Sequence, residues 1–468
     1  MHDIGSFFVP KIKDNFKELV DFYSYRTYYK EMVNRGIIMI IHVVQEGETI
    51  SLIAEFYKIP ETRLILDNGL DNANKLVTGQ SLVITYPEIT YTVKEGDSLF
   101  DIANSYNVTV MQLLQNNPYL SEADYIYPGD VIVISYNKVG KITTHGNTVP
   151  YINKAILRKT LPYLTYISIL NYTATVNGEI VSYYDDTEVI QTAKEYGVIP
   201  LMLLTTLTIQ GEANIRTAFD VLLNEDFQNR QIENILTILK TKGYYGVNIS
   251  LEYISISNLR FYESYFTKLS DRLSEEGYLI FAIINPNKTF VNNETTYERV
   301  DYTILNRIAY NIIFMNYEWA QNINPPSPIS SIHNIEEYLN YVIEYIPPDK
   351  IIIGLATIGY DWELPFSAGL SSVTSLTLER SIDLARSVGA VIQFDEISQT
   401  PFFRYSIISY GESIEHIVWF IDARSINALL GLVSEYNLLG TGIWNITIYN
   451  PQLWVIISSQ YDIEKIIS

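Results

Sequence analysis

The stretch GVNISLEYI (246–254) carries the strongest chemical signal in the chain. A β-strand sends alternate side chains to opposite faces. Asn248, Ser250 and Glu252 therefore share one face, and Val247, Ile249 and Leu251 the other. The apolar set suits packing against helices, so the polar set points inward, with Glu252 nearest the strand's carboxyl end. A carboxylate there is costly unless it is used or paired. Burial raises the pKa of a Glu, which suits a general acid. Other chemistries find no foothold. The absence of cysteine excludes thiol nucleophiles, disulfides and Cys-type metal sites. The five histidines (His2, His42, His145, His333, His416) are scattered, with no H-E-x-x-H or paired spacing, so no metal is expected. No phosphate loop, dinucleotide G-x-G-x-x-G or G-x-S-x-G elbow occurs, so no cofactor is expected.

A Glu at a strand end needs a scaffold. From about Lys141 apolar strand-like runs alternate with amphipathic helical segments. The runs are YLTYISILNY (163–172), IPLMLLTTL (199–207), GVNISLEYI, YLIFAIINP (278–286), YNIIFMNYEW (310–319), KIIIGLATIGYDW (350–362) and TGIWNITIYN (441–450). Helical stretches such as RQIENILTILKTKG (230–243) and FYESYFTKLSDRLSEEG (261–277) lie between them. Over 141–468 this predicts an α/β fold, a (β/α)₈ TIM barrel with its chemistry at the carboxyl ends of the strands. The 468 residues are 47 % hydrophobic, enough for large cores, and carry a net charge of −21. Such acidity argues against a nucleic-acid partner, which needs a basic face, and against a polybasic membrane-surface role. No apolar run reaches the length of a membrane span.

Ahead of the barrel lies a repeat. HVVQEGETIS (42–51) and YTVKEGDSLF (91–100) align, with Val44 and Val93, Gly47 and Gly96, Ala54 and Ala103 at one common offset. Each copy continues through a helical stretch and closes on a turn and strand, TGQSLVIT (78–85) and PGDVIVIS (128–135). The pattern resembles two lysin-motif (LysM) domains, small βααβ modules at 40–86 and 89–136. The resemblance implies binding of N-acetylglucosamine-containing glycans, peptidoglycan or chitin, and two linked modules would raise avidity. Candidate groove loops are Glu46–Ile50 and Val77–Ser81 in the first, Glu95–Leu99 and Tyr127–Val131 in the second. Residues 1–38 fall outside the pattern and are read as an extension, with Met39 an alternative start; they show no secretory signal.

Five ordered motifs in the barrel region give a second resemblance: YYGVNISLE (244–252), FMNYEW (314–319), GLATIGYDWELP (354–365), the pair IQFDEISQTPFFRY (392–405) and HIVWFIDARSI (416–426), and GTGIWNIT (440–447). Together they resemble glycoside hydrolase family 18 in the variant of bacterial spore cortex-lytic and germination enzymes. That resemblance implies substrate-assisted retention, an exception to the two-carboxylate scheme. Glu252 would be general acid and then base, and Tyr317 would hold the acetamido carbonyl. Trp444 would floor the sugar pocket, while Asn248, Glu318, Trp319, Tyr360, Asp361 and Trp362 would line the cleft.

One departure matters. Family members carry an Asp two residues before the catalytic Glu, where this chain has Ser250, and Tyr245 and Asn248 stand at the earlier Asp positions. A Ser hydroxyl can accept the acetamido N–H but carries no charge, a difference of about 1.5–3 kcal/mol, or roughly 10- to 200-fold in rate. The expected function is a glycosidase cleaving N-acetylglucosamine linkages in peptidoglycan, such as spore cortex fragments, located at the spore coat, cortex or cell wall. The alternatives are a catalytically weakened glycan-binding or spore-coat protein, and a chitinase.

Overall fold

The computed structural model describes residues 39–70, 75–121, 125–206, 215–251, 254–291, 294–315, 325–409 and 411–467. The extension expected at 1–38 lies outside them. Eight strands form the barrel: β1 (Gly140–Thr148), β2 (Tyr166–Ala174), β3 (Ile199–Thr205), β4 (Gly246–Leu251), β5 (Leu279–Ile284), β6 (Asn311–Phe314), β7 (Ile351–Ala356) and β8 (Gly440–Trp444). Each pairs in parallel with the next, and β8 returns to β1, so the sheet has no open edge in the ring. Helices Glu225–Lys242, Leu259–Ser274, Ile332–Val342 and Ala423–Glu435 bury their apolar stripes on the outside. Among the described residues no helix is long and apolar enough to cross a membrane.

The barrel's first strand has no apolar run. Thr143, Thr144, His145 and Asn147 are buried polar residues on it, which is why hydrophobic patterning alone passes over it. The run 350–362 divides at Thr357. Its first half is β7, and its second half, Ile358–Leu364, starts a separate five-stranded antiparallel sheet inserted between β7 and β8. The other strands of that sheet are Val373–Thr377, Gln393–Asp395, Thr400–Ser409 and Glu412–Trp419, and helix Leu378–Val388 packs on one face.

Both N-terminal modules fold as expected, strand–helix–helix–strand. The outer strands pair antiparallel, Met39–Val43 with Ser81–Thr85 and Ile89–Thr92 with Val131–Ser135. Equivalent residues do equivalent work. Thr49 and Ser98 cap their first helices by accepting from Leu52 N and Asp101 N. Asn68 and Asn117 each pin the second helix to the last strand, accepting from Val83 N (2.6 Å) and Val133 N (2.8 Å) and donating to Val83 O and Val133 O.

The modules dock on the barrel through its last helix, Pro451–Gln460. Gln452 Nε2 donates to Asn68 Oδ1 (3.0 Å) and Ser81 O (2.9 Å). Tyr163, stacked on Trp454 at 5.0 Å, donates to Leu114 O (2.7 Å). Between the modules, Arg63 pairs with Asp67 at 2.8 Å and donates to Tyr136 Oη at 2.7 Å, while Thr85 Oγ1 donates to Asp67 at 2.8 Å.

Candidate active site

The inward face of β4 can be followed from the barrel floor to the rim. Asn248 is fully buried. Its amide donates to Ser168 Oγ on β2 (2.9 Å), and that hydroxyl lies 2.8 Å from His145 Nε2 on β1. The rings of Phe281 and Tyr166 close around the imidazole. Burial pushes the His145 pKa down to about 3, so the ring is neutral at neutral pH. The floor is thus an uncharged polar layer. The family resemblance implied sugar contact for Asn248; the structure seats it below the rim, out of reach of solvent. His145 and Ser168 were not singled out from sequence. The signal for His145 is the alternation in KITTHGNT, which sets Thr143, His145 and Asn147 on one face, one strand earlier than the apolar runs; Ser168 is a polar residue inside the run YLTYISILNY.

Ser250 stands above Asn248 on the same face and is half-buried. A narrow crevice of about 50 Å³ between the strand ends and the outer helices reaches it, with Thr205, Gln231, Leu251 and Tyr265 in its walls. Glu252, two residues after Ser250, lies outside the described residues, as do Tyr317, Glu318 and Trp319. Leu251 and Met315, which adjoin these segments, both sit at the carboxyl end of the barrel.

Trp444 ends β8 at that same rim, in register with Ala356 of β7 and Asn147 of β1. Its ring is half-buried. Its carbonyl accepts from Thr357 N (3.1 Å) and Thr357 Oγ1 (3.2 Å), which ties the start of the inserted sheet to the last barrel strand.

Strand alternation divides the three residues expected from the insertion. Tyr360 and Trp362 share the face that joins the barrel's apolar cluster, with ring centroids 5.6 Å apart, and Trp362 is 1 % exposed. Asp361 turns to the opposite face. There it accepts from Tyr405 Oη (2.6 Å) and meets His416 Nδ1 at 3.0 Å, and the Tyr405 and His416 rings stack at 4.7 Å. Burial pushes the Tyr405 phenol above its usual range, and the Asp361 carboxylate adds to that effect. Trp362 and Asp361 are therefore a buried wall residue and a brace within the sheet.

A larger cleft, about 540 Å³, opens at the amino end of the barrel among Thr143, Tyr166, Leu279, Tyr310 and Glu464. In barrels of this kind chemistry gathers at the opposite, carboxyl end. Among the described residues no group of three or more His, Asp or Glu is arranged to hold a metal ion.

Comparison with known proteins fits this geometry. The family model for glycosyl hydrolases family 18 matches residues 132–448, and the LysM domain model matches residues 42–85 and 91–135. The cortical fragment-lytic enzyme of Bacillus subtilis is 29 % identical over 435 residues, covering 91 % of this chain and 99 % of that protein. YdhD of Bacillus subtilis, a candidate sporulation-specific glycosylase by name, is 30 % identical over 421 residues, covering 89 % and 98 %. The crystal structure of the spore cortex-lytic enzyme SleL of Bacillus megaterium QM B1551 superposes with a TM-score of 0.74 at 29 % identity, covering 92 % of this chain and all of that one. Both resemblances read from the sequence motifs are borne out: the chain belongs to glycosyl hydrolases family 18 and carries two LysM domains ahead of its barrel.

Proposed function

We propose that the chain hydrolyses N-acetylglucosamine linkages in peptidoglycan, acting on spore cortex fragments from a spore-associated location. The observation that carries this reading is the inward alternation of β4. Asn248 bonds across the floor and Ser250 stands above it; in the sequence Glu252 comes two residues after Ser250, where the same alternation would bring its carboxylate to that face. The relatives named for cortex lysis, matched over nearly their whole lengths, supply the substrate class.

In this scheme Glu252 gives its proton to the glycosidic oxygen as the bond to the anomeric carbon breaks. The acetamido carbonyl oxygen of the same sugar attacks that carbon and forms an oxazolinium. Intramolecular attack has a high effective molarity, which lets one acid suffice. Water then opens the ring and returns its proton to Glu252, retaining the anomeric configuration. Tyr317 holds the acetamido carbonyl, and Ser250 accepts the acetamido N–H. Trp444 stacks under the pyranose, Glu318 and Trp319 line the cleft, Tyr360 and Trp362 back its wall, and Asp361 braces the inserted sheet. A barrel that binds glycan without turning it over is favoured by one observation: β4 carries no carboxylate below Glu252.

Muropeptide release from isolated cortex fragments separates the two. Wild type is expected to release fragments with N-acetylglucosamine at the new reducing end by mass spectrometry, and Glu252→Gln to fall to background. Background release by both would support the binding reading.

A further inference from the structure

The two modules match in fold but not in what surrounds their groove loops. In each, the second loop is tied back to the first strand in the same way. Val44 N donates to Gln80 O and Gly79 N to Val44 O (2.9 and 2.8 Å); Val93 N donates to Asp130 O and Gly129 N to Val93 O (2.8 and 2.9 Å). Both turns use a glycine at positive φ.

In the first module that loop is covered by the barrel domain. Val77 is 5 % exposed and packs with Ile382, Ala385, Ile392 and Phe403 of the insertion. Ile392 N donates to Thr78 O (3.0 Å), Arg386 Nε to Lys75 O (2.8 Å) and Arg424 Nη2 to Gly79 O (3.2 Å). A Cβ on Gly79 would stand 1.9 Å from Ile392 O. A sugar chain lying between Glu46–Ile50 and Val77–Ser81 would have to occupy space already filled by Ile392.

In the second module the equivalent loop is open. Tyr127, at the position of Val77, is 64 % exposed, and Tyr125, at that of Lys75, is 82 % exposed. A Cβ on Gly129 would meet nothing within 4 Å. Tyrosines offer flat apolar faces with polar tips. Beside the exposed loop Glu95–Leu99 they make a surface suited to an uncharged sugar ring with an acetamido group.

We propose that the modules divide their work: the second is the glycan reader, taking an N-acetylglucosamine-containing strand, while the loop of the first is a structural dock that seats the inserted sheet beside the cleft. This rests on the glycan reading of the whole chain. The chain then engages glycan through one module and its barrel, not through two modules in tandem.

The test is co-sedimentation of the full chain with insoluble, purified peptidoglycan sacculi. Tyr125→Ala/Tyr127→Ala is expected to weaken binding tenfold or more, and Glu46→Ala, on the exposed loop of the first module, to leave it within twofold. Because all three side chains are exposed, the variants should fold; unchanged thermal unfolding checks this. As a second readout, hydrogen exchange with chitohexaose should gain protection at 95–99 and 125–131, whereas amides 77–80 should be protected already in the free protein. Full binding by the double variant, or loss of binding by Glu46→Ala, overturns the division of work and leaves the hydrolase reading intact. Absence of sacculus binding by wild type overturns the reader itself, while muropeptide release judges the hydrolase separately.

Discussion

Among the buried polar clusters of the described residues, two handle charge in opposite ways. At the seam of the modules Arg63 and Asp67 form an ion pair, 8 % and 1 % exposed, completed by Thr85 and Tyr136. On the barrel floor His145, Ser168 and Asn248 form a layer with no formal charge. A buried charge survives only with its partner in place. The seam meets that condition within one helix turn. The floor avoids it by carrying no charge at all. Around the Arg63 guanidinium the carboxylate and two phenols outweigh burial and hold its pKa above the usual range.

Breaking the seam should have the largest effect. Asp67→Ala leaves Arg63 buried without its partner and should cost about 3–5 kcal/mol in chemical denaturation. The second module carries Gln112 and Asn116 at the equivalent positions. Arg63→Gln/Asp67→Asn should therefore lose much less than Asp67→Ala alone. Equal losses would mean that the charges do not act as a pair.

The floor should show itself in the pH dependence of stability. His145 titrates near 3 in the folded chain and near 6.5 unfolded. Between those values the unfolded chain binds the extra proton. Stability should fall as pH drops below 6.5 toward 3, and this group should contribute no slope above 6.5. The loss is about 2–3 kcal/mol at about pH 4.5. His145→Gln should remove that part of the slope; an unchanged slope would place the acid sensitivity elsewhere.

Much of this was legible in advance, for identifiable reasons. The modules announced themselves because Val44, Gly47 and Ala54 recur as Val93, Gly96 and Ala103. Most of the barrel strands announced themselves as apolar runs buried on both faces. β1 did not, because Thr143, His145 and Asn147 fill its inward face with polar groups. Nor did the facing of Asp361 emerge, since a cleft and a sheet interior both accept a carboxylate and only the approach of Tyr405 and His416 decides between them. The capture of Val77 by Ile382 and Phe403 joins residues far apart in the chain, which no local pattern records.

Adding charge to the neutral column sharpens the contrast further. Ser250→Asp supplies a carboxylate for the acetamido N–H and for the oxazolinium. It should raise turnover on cortex fragments roughly 10-fold, with a ceiling near 200-fold. A fall in rate would mean that the acetamido group is held by other residues. The smallest effect belongs to the open module: Tyr127→Ala should change stability by about 0.5 kcal/mol or less, since its ring is largely in solvent.

In the proposed mechanism the sugar's own acetamido group makes the displacement while Glu252 supplies the proton. Proton NMR of the first product formed from cortex fragments, recorded before mutarotation, tests it most directly. The new reducing end is expected to keep the anomeric configuration of the cleaved bond. An inverted anomer would mean direct attack by water and would contradict it.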